Sequence, residues 1–257
     1  MKTRDIFIVS QEGLNPEVNV VAVEAIQELL TYFPHYKKDY PITDLGPWKS
    51  AEYTYVEDDG RTCYIPYAST QWHIEKARQK AQEEGHNHQL KVDTLFETIK
   101  TDPTNIKYPQ FTILLTKDDL YAETAPGFCL GMGDKGIGCV MSAYRFLNNS
   151  GNFDGLLGRE NFKTVLMHEF GHVIGLTYDG RKNSVDNLGA HCACSRCIMQ
   201  QRPDGNFTDV TLARLEENSP ICDDCIEAGE EFFAQERTQR TVNKIVDGQL
   251  KKYGLRR

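Results

Sequence analysis

His168 and His172 stand four residues apart in the string HEFGHVIGL, residues 168 to 176, with Glu169 beside the first of them. On an α-helix, residues four apart lie one above the other on the same face. Two imidazoles so placed reach one metal ion, and the adjacent carboxylate points at a water that the metal activates. That equipment suits amide hydrolysis: the metal acts as Lewis acid, and the carboxylate takes and returns a proton. A catalytic zinc has three protein ligands and one open position. The third ligand must therefore come from elsewhere in the chain. His191 is the nearest downstream histidine, and the carboxylates of Glu216 and Glu217 compete with it.

The cysteines describe a second centre. There are eight, at 63, 129, 139, 192, 194, 197, 222 and 225, and five of them fall within residues 192 to 225. In a compartment that keeps thiols reduced, such clustering reads as a metal site rather than disulfides. Four residues separate Cys192 from Cys197, and two separate Cys222 from Cys225. Both gaps fall in the range for paired zinc ligands. Four thiolates close a tetrahedral site and leave no room for substrate, so this zinc is structural. It would pin the C-terminal part to the catalytic helix and, because His191 adjoins Cys192, hold the third ligand. Cys194 lies inside the first pair and could stand in for either member. Cys63, Cys129 and Cys139 are expected as buried thiols. Two Zn²⁺ are thus implied, one catalytic and one structural.

These residues need elements to hold them. Apolar residues at Phe162, Val165, Leu166, Phe170, Val173 and Ile174 predict a helix over 162–174. Gly175 follows where helices commonly stop. DIFIVS (5–10) and FTILLT (111–116) predict strands, and helical spacing predicts a helix over 17–32. Asp59-Gly60 between two β-rich runs signals a hairpin. Residues 69–101 predict one or two helices broken near Gly85. GFCLGMG (127–133) and GCVMSAYRF (139–147) predict two strands joined by a Gly-rich turn. The first is either an edge to which an extended peptide adds or an ordinary hairpin arm. Asp118 and Asp119 are expected in a turn, and His86 and His88 in a solvated loop.

Composition narrows the classes. A net charge of −8 over 257 residues leaves no basic excess for phosphates, which speaks against a nucleic-acid partner. No apolar run reaches the ~20 residues of a membrane span, and MKTRDIFIVSQEG lacks the apolar core of a secretory signal. The expectation is a cytoplasmic monomer with no membrane partner. Lys251, Lys252, Arg256 and Arg257 are read as a solvated tail.

HExxHxxG, then a His-Cys pair, a further Cys, Met199 and a late CxxC resemble the archaemetzincin family of zinc peptidases. The matching residues are His168, Glu169, His172, Gly175, His191, Cys192, Cys197, Met199, Cys222 and Cys225, and the resemblance covers about residues 105 to 226. In the family the third histidine stands three residues after the glycine. That position here is Tyr178, so TYDGRKNSVDNLGA reads as a surface insertion before the ligand at 191. Tyr178 is either a group near the oxyanion or a surface tyrosine of that insertion. The resemblance places Met199 beneath the zinc as a packing residue. It implies an α/β (α+β) fold of metzincin type, with a twisted mixed sheet and an active-site helix. Residues 1–257 would form one catalytic domain: an upper part, 1–175, with sheet and active-site helix, and a smaller zinc-stapled lower part, 176–257, ending in a helix. The implied function is zinc-dependent hydrolysis of peptide bonds with Glu169 as general base, by aminopeptidase or endopeptidase action on small peptides. The alternatives are an inactive zinc-binding scaffold that binds peptides and a zinc hydrolase of non-peptide amides.

Overall fold

The structure is a computed structural model that describes residues 4–47, 53–56, 62–65, 70–101, 110–186, 189–217 and 220–252. In chain order the elements are β1 (Ile6–Ser10), α1 (Pro16–Leu30), β2 (Ile42–Gly46), β3 (Tyr53–Val56), β4 (Thr62–Ile65), α2 (Thr70–Glu83), β5 (Gln89–Lys91), α3 (Val92–Thr101), β6 (Phe111–Thr116), β7 (Asp119–Ala122), β8 (Ala125–Cys129), β9 (Gly131–Asp134) and β10 (Gly138–Ser142). They are followed by α4 (Gly155–Val173), β11 (Ser184–Asp186), β12 (Ala190–Cys192), α5 (Thr208–Glu217) and α6 (Asp223–Lys252).

The main sheet has the order β2-β1-β6-β10-β9. The first four strands run parallel, and only β9, at the edge, is antiparallel to its neighbour. FTILLT is buried at every position, as a central parallel strand covered on both faces must be. Successive side chains point to opposite faces. Phe111, Ile113 and Leu115 therefore join Ile6, Ile8 and Met141 in a core with α1 and α4. Leu114 joins Val9 and Val140 in a second core with Ile74 of α2 and Leu95 of α3. The expected α/β arrangement with a mixed sheet is thus realised.

Three readings change in detail. First, α4 starts at Gly155 rather than 162. Its opening turns carry Leu156 at 73% and Leu157 at 46% exposure, so no buried stripe announces them. Second, GFCLGMG is not one strand. The chain breaks at Leu130, β8 pairs with β7 in a small sheet β5-β7-β8, and β9 crosses into the main sheet. Third, Asp119 is a strand residue rather than a turn residue. It is buried and takes both prongs of Arg145, at 2.9 and 2.8 Å. Asp118 does lie between strands, where Arg78 and Gln11 donate to it at 2.6 and 2.7 Å.

Elsewhere the pattern holds closely. Pro16 opens α1 and the Asn15 side chain accepts from the Glu17 N–H at 3.0 Å, a standard helix start. The break near Gly85 separates α2 from β5 and α3. β3 and β4 pair antiparallel as the Asp-Gly signal requires, the turn itself lying outside the described residues. His88 is exposed, and His86 stacks on Tyr121 with centroids 3.8 Å apart. The side chains of Cys63, Lys251 and Lys252 lie outside the described residues, as do Arg256 and Arg257. Among the described residues no helix is long and apolar enough to cross a membrane.

The C-terminal elements are sewn to the upper part by two devices. Phe233 of α6 packs against Phe33, Tyr36 and Tyr40, with centroids 5.2, 5.1 and 5.0 Å away. Arg214 of α5 is buried and donates to Thr164 Oγ1 at 3.1 Å and to the carboxylates of Glu160 and Glu28.

Candidate metal centres

α4 carries His168, Glu169 and His172, with Glu169 and His172 against the edge strand β9. Nε2 of His168 and Nε2 of His172 lie 3.3 Å apart. A tetrahedral zinc at its usual bond length holds two nitrogens about 3.4 Å apart, so the pair is already at ligand spacing. His191 completes the group: one ligand nitrogen from each of the three lies within 4.8 Å of the others. Each outer ring nitrogen is occupied. Nδ1 of His168 donates to the Ile198 carbonyl at 2.6 Å, and Nδ1 of His191 donates to the Gly189 carbonyl at 2.9 Å. Nδ1 of His172 lies 3.2 Å from Thr177 Oγ1. The two carbonyl bonds place the Nδ1 protons of His168 and His191 and leave their Nε2 atoms free of a proton, as metal-bound histidines require. Glu216 is exposed on α5 and outside this group; the Glu217 side chain lies outside the described residues.

Electrostatics favours the same protonation state. Burial, and then the charge of His191, hold His168 down at about 3, and burial with both neighbouring imidazoles holds His172 well below its usual value. Neutral imidazole is the form that binds metal. Glu169 is 8% exposed, and burial pushes its carboxyl up to about 8. A cation beside it acts in the opposite direction.

His191 reaches this point through the segment from Gly175 to Ala190. Gly175 takes φ +66°, a left-handed conformation that costs glycine little, and the chain turns off the helix. The chain then folds on itself: β11 and β12 pair antiparallel, with Val185 opposite His191. The Cys192 N–H donates to the Met199 carbonyl at 2.8 Å, closing the ligand strand onto the segment below the helix. Met199 itself is fully buried there, against Gly171 of α4.

The thiols of Cys192, Cys197, Cys222 and Cys225 form a second cluster. Sγ of Cys192 lies 3.5 Å from Sγ of Cys222, and Sγ of Cys197 lies 3.7 Å from Sγ of Cys225. A tetrahedral zinc spaces its sulfurs about 3.8 Å apart, whereas a disulfide would need about 2 Å. Hydrogen bonds from Cys197 and Cys222 drive Cys192 far down, while Cys225 is driven far up, chiefly by Cys192. Four thiols this close cannot all ionise without a cation. Cys194 stays outside the four and gives its N–H to Cys192 Sγ at 3.4 Å. Cys139 is buried as expected. Cys129 is half-buried, its thiol donating to the Gly131 carbonyl at 2.6 Å.

No protein-family model matches this sequence, and no curated protein matches it. Solved structures do. The archaemetzincin of Methanopyrus kandleri aligns with a TM-score of 0.53 at 20% identity, over 90% of this chain and 96% of that one. The archaemetzincin of Archaeoglobus fulgidus, solved with malonate, gives 0.50 at 17% identity, over 87% and 99%. The fold is that of the archaemetzincins.

On this archaemetzincin fold the three histidines and Glu169 line a cleft of about 440 Å³, with Met132, Tyr178, Arg202 and Phe207 among its other walls. Tyr178 is exposed there, with Lys135 Nζ 5.1 Å from its ring centroid. The edge strand β9 forms one rim and packs directly on α4. A Cβ on Gly133 would fall 2.2 Å from the Glu169 carbonyl oxygen and 3.1 Å from His172 Cβ. The sequence reading placed both glycines of GMG in a strand without giving them a role; their alternation, which puts both on one strand face, was the signal for a close approach. Gly133→Ala is therefore expected to push β9 off the helix. Overpacking of this kind costs about 1–3 kcal/mol. Denaturant unfolding should show that loss; unchanged stability would mean that the strand and helix are not in this contact.

Proposed function

We propose that the chain is a zinc-dependent peptidase acting on small peptides, by aminopeptidase or endopeptidase cleavage. The observation that carries this reading is the gathering of one ring nitrogen from each of three histidines within 4.8 Å of one another, beside a buried carboxylate in an open cleft. His168, His172 and His191 would hold a catalytic zinc. Cys192, Cys197, Cys222 and Cys225 would hold a structural one, giving two per chain. Zinc, when bound, supplies Lewis acidity towards water and the scissile carbonyl.

The chain's own groups do the rest. Glu169 takes the proton of the attacking water and hands it to the leaving amine. β9, an edge strand at the rim, offers main-chain groups to an extended peptide. The Nδ1 partners Ile198, Gly189 and Thr177 keep the imidazoles oriented. In this reading residues 1–257 act as one catalytic domain, the lower part from 176 sharing a hydrophobic core with the sheet. The seven described cysteines form no disulfide, which suits the reducing cytoplasm. A scaffold that merely holds zinc has no use for the carboxylate at 169.

The test is hydrolysis of a peptide library by the purified protein. Cleavage should stop on adding a strong chelator and return with zinc. Absence of cleavage by protein carrying two zincs would leave the peptide-binding scaffold, and cleavage confined to non-peptide amides would change the substrate class.

A further inference from the structure

From Tyr178 to Asp186, inside the insertion, nearly every residue is exposed or half-buried, with one exception. Arg181, a cation, is only 9% exposed. Its Nε, Nη1 and Nη2 are all buried, and none has a hydrogen-bond partner of normal geometry. A guanidinium withdrawn from water without a compensating anion is strongly unfavourable. Its loop lies against both cysteine segments, through Asn183 to Ala193 beside Cys192 and to Asp224 between Cys222 and Cys225, and the charges acting on its guanidinium are those of Cys192 and Cys225. Four thiolates around one divalent cation leave two buried negative charges, and the other buried cation among the described residues, Arg214, is already paired with Glu28 and Glu160.

We infer that Arg181 is the counter-cation of the four-cysteine centre, a positioning residue that ties the inserted loop to the thiolates and thereby holds the strand bearing His191. The inference rests on the structural-zinc reading above. The loop geometry fits the role. Asn183, two residues on, donates to Asp224 Oδ2 at 2.5 Å, inside the Cys222–Cys225 turn. The Ala193 N–H donates to the Asn183 carbonyl at 2.8 Å, and Ser184 closes back on the Arg181 carbonyl at 2.8 Å. The insertion is thus clasped to the metal loop from both sides, and Arg181 supplies the charge at the centre of the clasp. Thiolates facing a guanidinium are poorer nucleophiles and exchange their metal more slowly.

The experiment uses the intact two-zinc protein and its Arg181→Met and Arg181→Lys variants. A chromophoric chelator should draw zinc from the cysteine site of Arg181→Met about tenfold faster, the low end of losses on removing a group that supports metal ligands. In protein with cobalt at the cysteine site, the sulfur-to-cobalt charge-transfer band should move to lower energy in Arg181→Met. Arg181→Lys should stay close to wild type in both readouts. Equal release with an unmoved band in Arg181→Met overturns the inference, and so does Arg181→Lys behaving like Arg181→Met. If Arg181→Met does not fold, Arg181→Lys decides: wild-type release supports the role and failure to fold overturns it. Wild-type protein with one zinc would remove the structural centre and this inference together. Two zincs with an indifferent Arg181 would remove this inference alone.

Discussion

Glu169→Gln is expected to purify with two zincs per chain and to hydrolyse peptides ~10²–10⁴ times more slowly than wild type, the range for loss of a general acid–base group. The substitution keeps size and buried polar character but cannot accept the proton of water. None of the three Nε2 atoms or their Nδ1 partners involves residue 169, so metal content should be unaffected. Most of the loss should fall in kcat, because the proton moves only as the transition state forms. Metal analysis beside steady-state kinetics checks both halves. Normal turnover by a zinc-replete variant would take Glu169 out of the mechanism, and zinc loss would make it a structural residue of the site.

Cys222→Ser is expected to lower zinc content from two to one per chain and to destabilise the protein by more than about 4 kcal/mol, the range in which loss of a bound metal falls. The cluster joins Cys192 and Cys197 to Cys222 and Cys225 across the start of α6. Losing it frees the strand of His191, so the remaining zinc should also be held less tightly. His168→Ala is the control. It should cost the other zinc and all activity, while the four-cysteine staple persists. Calorimetric or denaturant unfolding with metal counting distinguishes the two. Two zincs and unchanged stability in Cys222→Ser would end the case for a second metal.

The lower region shows where sequence reading stops. The paired cysteine spacings and the His-Cys register at 191–192 were visible, and the structure draws those residues into two clusters. The hairpin that swings His191 into place was not visible, because SVD and AHC are three-residue strands with weak patterns of their own. Their pairing depends on turn geometry and on the metal loop beneath. Arg181 stands among charged and polar neighbours in DGRKNS, and nothing in its spacing singles it out. The division of GFCLGMG between two sheets was hidden for a related reason: which partner a strand segment takes is settled by neighbours distant in the chain.

What the sequence alone determined is what short-range periodicity writes: two imidazoles and a carboxylate on one helical turn, a glycine stop behind them, apolar strands destined for burial, and thiols at ligand spacing. Only the tertiary structure decided that His191 comes beside the pair while Glu216 stays exposed, that β9 lies against the helix through bare glycine backbone, and that the guanidinium of Arg181 is buried. Those outcomes depend on closing loops and on matching charge and volume between segments far apart along the chain, and no local spacing encodes such matches.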